Sequence, residues 1–405
     1  AGHRPRVFGL PFYAGWGLTA DEIPHPRRGR CLSAEQLFAA AMLLYPLWYD
    51  PCRDRLCSFE EALDHLEAQS RAWRDDHKGY VALHMRLWKR PHLHAFFGRW
   101  EKLQFARQPI PDRPNLVWGA AVAPKGAIRV EDGFLRSRGL GAQLTPPISL
   151  IRDDLGIYFD PSTPSRLEAL IAAPLPPGAE ARARALIATI RAQGLSKYNL
   201  PGARPALPDG YRILVPGQVE DDASIRLGAG RIATNLALLA ETRAQNPDAV
   251  ILYKPHPDVQ AGLRPGVIPP DLALLYATQI IDNADPAALL DVVQEVWTIT
   301  STLGFEALLR GVPVTTLGAP FYAGWGLTRD LGETPARRRA RPSLNAFAHA
   351  VLIDYPRYLD PVTRLPCPPE IAATRLAEGA TKPPPALRAL AKLQGLFASH
   401  TAFWR

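Results

Sequence analysis

Four short stretches of this 405-residue chain bring groups with useful chemistry close together. The first is Glu131-Asp132, adjacent carboxylates at the end of the apolar run 127–130 (AIRV) and just before Gly133. A carboxylate at a strand's end can serve as nucleophile or general base. Neighbouring side chains on an extended strand point to opposite faces, so one acid is expected to face a cleft while the other holds the loop. The plainer reading is an Asp-Gly turn. Arg136 and Arg138 follow, and they suit either the carboxylate of an acceptor or these same acids. The second stretch is Lys254-Pro255-His256-Pro257, directly after the apolar run 249–254 (AVILYK). Two prolines stiffen the backbone and disfavour helix, leaving a cation and an imidazole at a strand's end. That pair suits a phosphate leaving group, by neutralising charge or donating a proton, and a simple surface turn is the alternative.

The third stretch is Thr300-Ser301-Thr302-Leu303-Gly304-Phe305-Glu306, hydroxyls and a glycine between a strand and a helix. Free backbone N–H groups and the helix dipole make such a helix start a phosphate site, and Glu306 is placed to hold ribose hydroxyls. Ordinary N-capping by Ser301 or Thr302 uses the same groups. The fourth stretch runs from Gln218 to Ser224 with Glu220, Asp221 and Asp222 in a row. Three acids can bind a divalent cation through oxygen. No Asp-x-Asp spacing occurs, so the expectation is a metal-free site, with Gln218 and Ser224 as nucleotide contacts.

The elements that position these groups alternate in type. Residues 115–119, 127–130 and 157–159 read as strands, followed by helices at 165–172 and 179–192. A Pro-rich linker spans 201–208. Strands at 212–216, 249–254, 295–300 and 312–317 then alternate with helices at 232–245 and 303–310. This alternation predicts parallel sheets covered by helices, an α/β protein with two Rossmann-like domains flanking a cleft. Ligands in such sheets sit beyond the carboxyl ends of the strands, where all four stretches lie.

The chain also repeats itself. Residues 11–19 and 320–328 both read PFYAGWGLT, and the likeness continues through Arg27-Arg28 and Arg337-Arg338, Ser33 and Ser343, Tyr45-Pro46 and Tyr355-Pro356, and Cys57 and Cys367. The offset is domain-sized, so the repeat is a duplicated module rather than a solenoid. The expected organisation is the tail of a preceding module at 1–77, an N-terminal acceptor-side domain at 78–205, a nucleotide-sugar-binding domain at 206–335 and a helical tail at 336–405. A fragment of a longer tandem protein is the expectation that follows.

Composition narrows the partners. The net charge is +8, which suits an anionic substrate or lipid, or simply an Arg-rich composition. Cys31, Cys52, Cys57 and Cys367 form no C-x-x-C pair, so neither a zinc site nor a disulfide framework is expected. No apolar run approaches the roughly 18 residues of a membrane-spanning helix, and a cytoplasmic protein is expected. Nucleic acid is not an expected partner, because no aromatic-basic recognition motif occurs. The arginines at 337, 338, 339 and 341 form either a solvated face or a receiver for a lipid phosphate or acidic sugar. The segment 386–405 is basic, with leucines at nearly helical spacing, and suits docking on the protein itself or on a membrane surface.

Together, VEDGFLRSRGLGA, LVPGQVEDDASIR, YKPHPDV, TSTLGFEALLRG and PFYAGWGLT resemble the signature segments of the bacterial capsule-polysaccharide Kdo transferases of the KpsC type, in that family's order. The resemblance implies a GT-B fold and a retaining β-Kdo transferase with CMP-Kdo as donor and no further cofactor. It implies a Kdo-terminated acceptor linked to a phosphatidylglycerol-type lipid, met at the cytoplasmic face of the inner membrane, and a double displacement. Carried onto this chain, Asp132 is the nucleophile and Glu131 its assistant. Lys254 and His256 meet the CMP phosphate, and Ser301, Thr302 and Glu306 line the nucleotide pocket. The rival readings are another GT-B nucleotide-sugar enzyme, such as a UDP-sugar epimerase or transferase, and a non-catalytic membrane-surface scaffold.

Overall fold

The structure is a computed structural model that describes residues 3–139, 144–200, 202 and 205–380. The basic segment 386–405 lies outside the described residues. The chain forms two compact units, Ala1–Glu67 and Ala68–Arg405. The division falls inside helix Phe59–Asp76 rather than at residue 77. The reason is charge: Arg357 donates to Asp76 at 2.7 Å, and Arg71 donates to the Asp354 carbonyl at 2.7 Å, so the helix's last turns belong with the second unit.

Within the second unit, two sheets carry the architecture. A six-stranded, all-parallel sheet runs in the order Gln279–Ile280, Val250–Lys254, Arg212–Pro216, Glu295–Thr298, Val314–Thr316, Arg329–Asp330. Its middle strands are apolar on both faces, as a sheet covered by helices on both sides requires. Ile213, Val215, Ile251, Tyr253, Trp297 and Ile299 form that core. The chain reverses its winding between Arg212–Pro216 and Glu295–Thr298, which opens a crevice at their carboxyl ends.

The other sheet has seven strands in the order Pro366–Cys367, Pro356–Leu359, Ser149–Asp153, Ile128–Asp132, Asn115–Trp118, Val81–Leu83, Gln104–Ala106. Four are parallel, and Ser149–Asp153, Pro356–Leu359 and Pro366–Cys367 extend the sheet antiparallel. Two expectations change here. Residues 157–159 are not a strand, since the third apolar run in this half is Ser149–Asp153, hidden behind Pro146-Pro147. The segment after 336 is not only helical: Pro356–Leu359 returns to the seven-stranded sheet, the first in chain order, where Tyr355 donates to Asp153 at 2.7 Å. The hydrophobic side chains of that strand need a sheet edge to cover them.

The repeated motif folds the same way twice. Trp325 Nε1 donates to the Phe321 carbonyl at 2.9 Å, as Trp16 does to Phe12 at 2.8 Å. Gly324 and Gly326 stand at φ 87° and 82°, and Gly15 and Gly17 at 79° and 80°, a left-handed backbone that favours glycine. Arg338 donates to the carbonyls of Pro320 and Ala323, and Arg28 to those of Pro11 and Ala14. The environments differ. Phe321 and Tyr355 are each 3% exposed, whereas Phe12 and Tyr45 are 63% and 90% exposed.

The arginine run is thereby corrected. Arg337 and Arg338 both pair with Glu168 at 2.7 Å, and Arg341 donates to the Gly324 carbonyl. Arg338 and Arg341 are spent on the motif's carbonyls, Arg337 binds Glu168 and the carbonyls of Pro161 and Thr163, and Arg339 stays exposed, so part of the run is the solvated face that sequence allowed. Arg338→Ala is expected to cost about 3 kcal/mol, since it leaves the buried carbonyls of Pro320 and Ala323 without their donor. Arg28→Ala, which breaks only partly exposed hydrogen bonds, is expected to cost about 1 kcal/mol. Urea unfolding followed by tryptophan fluorescence reads both, and equal costs would refute the difference in burial as the cause.

Candidate active site

A cavity of about 350 Å³ opens between the two sheets of the second unit, at the carboxyl ends of their strands. Glu131 and Asp132 enter it from the first sheet. Gln218, Lys254, His256, Ser301, Thr302 and Glu306 enter it from the second. The three stretches that sequence placed at strand ends in the second half thus meet the first across one space.

Both acids line the cavity, which overturns the expectation that one faces away. The strand ends at Asp132, and the Glu131 side chain folds back so that its Oε1 accepts from the Asp132 N–H at 3.0 Å. A Cβ on Gly119 would stand 2.9 Å from Glu131 Oε2, and the left-handed φ of 52° there also favours glycine. Burial pushes the Glu131 pKa up to about 7, against the pull of Lys89 and with Asp132 adding to the rise. Burial also works against the Asp132 charge, but Arg136 and Lys89 overcome it and hold that carboxyl below its ordinary value. Asp132 is therefore ionised, and Glu131 holds a proton that it can lose near neutrality. A pair split in this way holds one charged and one protonatable carboxyl side by side, the arrangement that acid–base chemistry uses.

Arg136 is not free to meet an acceptor. It is 1% exposed, and its Nε donates to Asp132 at 2.6 Å while Nη1 donates to Ser137 Oγ at 2.7 Å. Asp132 keeps 20% of its side chain exposed, and Arg136 is the cation at contact that favours its ionised form. Arg138 is exposed and outside the cavity lining, its guanidinium lying beside Gly379.

In the second half, Gln218 is a structural clamp. Its Oε1 accepts from Thr298 Oγ1 and the Thr300 N–H, and its Nε2 donates to Thr300 Oγ1 at 2.9 Å. It ties the two strands on either side of the crevice together and shapes the loop that starts helix Thr302–Leu309. Ser301 caps that helix, accepting from the Leu303 N–H at 3.3 Å. Tyr322 of the repeated motif donates to the Ser301 carbonyl at 2.5 Å and packs where a side chain on Gly304 would stand. The motif's Phe321 lines the cavity, packed against Phe134 at 4.7 Å and Phe305 at 5.4 Å.

The acidic run disperses. Glu220 accepts from the Asn235 N–H, Asp221 pairs with Arg264 at 2.6 Å, and Asp222 caps helix Ala223–Gly228 through Ser224. Three acids with three separate tasks do not converge on one point, and the Ser224 hydroxyl is spent on Asp222 at 2.8 Å. Asp50, Cys52 and His65 do converge, within 4.8 Å in the first unit. His65 Nε2 stands 3.0 Å from Asp50 Oδ1. At the repeated position Arg375 pairs with Asp360 at 2.8 Å, which marks the cluster as the histidine version of a structural ion pair.

Lys254 is buried at the cavity wall, and burial lowers its pKa. His256 Nδ1 accepts from the Asp258 N–H at 3.1 Å, which leaves the ring proton on Nε2. Burial, with Lys254 adding to it, brings the His256 pKa down to about 4. The imidazole is thus neutral at pH 7 and offers a hydrogen bond rather than a charge. Glu306 Oε1 accepts from the Lys197 N–H at 2.8 Å, while its Oε2 is buried with no partner among the described residues. That oxygen is a buried polar atom that the described residues leave unmatched.

Sequence reasoning missed Lys89, Tyr158, Asp258 and the turn Ser196-Lys197-Tyr198-Asn199. Burial brings Lys89 down to about 8, with Glu131 and Asp132 acting in the opposite sense. Asp258 Oδ1 is a second buried oxygen without a partner among the described residues. The one signal available was the polar run Ser-Lys-Tyr-Asn between a helix and a Pro-rich linker.

Two Rossmann-like halves whose strand ends share one cavity define a GT-B-like α/β protein. The sequence profile of a family described as "Capsule polysaccharide biosynthesis protein" matches residues 120–201 and 203–358. The chain belongs to that family. It is 41% identical over 397 aligned residues to the capsule polysaccharide modification protein LipA of Neisseria meningitidis serogroup A, covering 91% of this chain and 56% of that protein. The chain thus spans little more than half of that relative's length. It is 44% identical over 299 residues to the lipopolysaccharide-processing protein LpsZ of Rhizobium meliloti, covering 67% of this chain and 68% of LpsZ. Among solved structures, the Thermosulfurimonas dismutans KpsC β-Kdo 2,7 transferase matches at 34% identity and a TM-score of 0.62, over 74% of this chain and 98% of that one. The β-Kdo 2,4 transferase of the same KpsC matches at 31% and 0.67, over 75% and 99%. Among the described residues no helix is long and apolar enough to cross a membrane.

The carboxylate pair predicts a pH dependence. Folding raises the Glu131 pKa from 4.5 to about 7, so the native state binds more protons than the unfolded state between those values. Glu131 therefore subtracts stability as pH climbs through that window. Glu131→Gln is expected to raise the melting temperature little at pH 5 and progressively more towards pH 8. A pH-independent difference in a thermal-melt series would contradict the assignment.

Proposed function

We propose that the chain is a retaining β-Kdo transferase of capsule-linker synthesis, which moves Kdo from CMP-Kdo to a Kdo-terminated, lipid-linked acceptor of the phosphatidylglycerol type. The observation that carries this reading is Asp132, kept ionised by Arg136 in the cavity whose opposite wall holds Lys254, His256 and the start of helix Thr302–Leu309. The likeness to two β-Kdo transferase structures over nearly their full length supports the choice of sugar.

In this reading Lys254, the His256 Nε2–H and the helix's free N–H groups hold the phosphate of CMP. The unpartnered Glu306 Oε2 accepts from a ribose hydroxyl. Asp132 attacks the anomeric carbon as the bond from that carbon to the phosphate oxygen breaks, and the electron pair leaves with CMP. Positive groups at the phosphate stabilise the charge as it develops, so the reading assigns no metal to the leaving group. The acceptor hydroxyl then attacks the same carbon and displaces Asp132, giving up its proton to Glu131 in the ionised form that is present near its pKa. Glu131 is suited to this because its pKa lies near the working pH. Two displacements at one carbon return the original configuration. In this reading the lipid-linked acceptor is met at the cytoplasmic face of the inner membrane.

The test is incubation with CMP-Kdo and a lipid-mimetic acceptor ending in β-Kdo. Wild type is expected to extend the acceptor, and Asp132→Ala to lower the rate by about 1,000-fold or more. Extension that persists in the variant would remove Asp132 from its role. Failure of CMP to bind at all would overturn the reading.

A further inference from the structure

Two cations of the cavity have no ion-pair partner among the described residues. One is Lys254, on the side of the second sheet. The other is Lys197, on the turn that joins the two halves. The remaining cavity cation, Arg264, is already paired with Asp221. An ammonium drawn into a site among Tyr158, Tyr198, Glu131 and Asp132 without a contact anion is a charge that a ligand is left to match.

The turn that carries Lys197 is held from three directions. Ser196 and Asn199 close it, the Ser196 N–H donating to Asn199 Oδ1 at 2.9 Å and the Asn199 N–H to Ser196 Oγ at 3.0 Å. Asn199 takes the left-handed φ of 48° that lets the turn tighten. The Lys197 carbonyl accepts from the N–H groups of Arg136 and Ser137, both at 3.2 Å, and its own N–H donates to Glu306. The residue is thus fastened to the loop after the carboxylates and to the helix of the phosphate wall. Its charge acts on both sides: it helps to lower the pKa values of Asp132 and Glu131, and also that of His256.

We propose that the Lys197 ammonium binds the carboxylate that an acidic keto-sugar donor carries on its anomeric carbon, and so selects sugars of that class. This rests on the transferase reading above and adds the element that recognises the sugar. Such a donor has two anionic groups, a phosphodiester and a carboxylate one bond from the reacting carbon. The phosphate wall meets the first. The second must lie beside Asp132, where two like charges would repel without a cation between them. Lys197 is the cation of the cavity lining on that side without an ion-pair partner among the described residues, whereas Lys89, the other cation near the acids, rests over the Trp118 ring outside the lining.

The experiment compares the affinities of CMP and of fresh CMP-Kdo, without acceptor, for the whole chain and its variants by titration calorimetry. Wild type is expected to bind CMP-Kdo more tightly than CMP by about 10- to 100-fold, the span of a charged hydrogen bond. Lys197→Met is expected to abolish that difference and leave CMP binding unchanged, and Lys197→Arg to retain most of it. Lys254→Met is expected to weaken both ligands together. A Lys197→Met protein that weakens CMP as much as CMP-Kdo assigns Lys197 a structural role and overturns the proposal, as does one that keeps the preference. Wild type that binds CMP but shows no preference also overturns it, while wild type that binds neither ligand defeats the transferase reading itself.

Discussion

Two carboxylates on consecutive residues repel one another when both are charged at the wall of a partly buried cavity. Glu131 and Asp132 meet that constraint by dividing the charge between them: one stays ionised against Arg136, and the other keeps its proton to near neutrality. Much of the surrounding structure follows. Arg136 is drawn inward and lost to any acceptor. Lys89 rests over the Trp118 ring, 2.9 Å from its centre, close enough to act on both acids. The loop after Asp132 is fastened to the Lys197 carbonyl because a displaced Arg136 would leave a naked charge behind.

The opposite wall obeys a different rule. Parallel strands leave a crevice where the winding reverses, and loops that cross it must be held without closing it. Gln218 does this with one side-chain amide, which bonds to Thr298 and Thr300 and leaves the start of the next helix open. Behind both walls lies an aromatic core of Phe134, Tyr158, Phe305 and Phe321, with ring centres 4.7 to 5.8 Å apart. It excludes water beneath the acids and so helps to produce the desolvation on which their split depends.

The duplicated motif shows what local sequence can and cannot do. Its glycine conformations, tryptophan bond and arginine clamp recur in both copies, because all of them are made within some 20 residues of chain. Burial does not recur. Phe321 enters the aromatic core, and Phe12 does not. The ion pair also drifted, from Arg375–Asp360 in one copy to His65–Asp50 in the other, as the geometry needs only a donor facing the aspartate.

The alternation of strand and helix, the two Rossmann-like halves and the strand-end positions of Glu131, Asp132, Lys254, His256, Ser301 and Glu306 were legible in the sequence, because each depends on patterns a few residues long. Helix Ala179–Ala192 and strand Arg212–Pro216 were legible to the residue. The short strands Val81–Leu83 and Gln104–Ala106 were not, since three residues carry too little periodicity to read. The return of Pro356–Leu359 to the first sheet was hidden for another reason: its partner lies some 200 residues away. Tertiary structure alone decided which charges were free. Arg136 and Arg338 look available in sequence and are consumed by Asp132 and Glu168, while Lys197 looks ordinary and has no ion pair at contact among the described residues. Charge balance in a buried site is a sum over neighbours brought together from distant parts of the chain, and no local pattern records that sum.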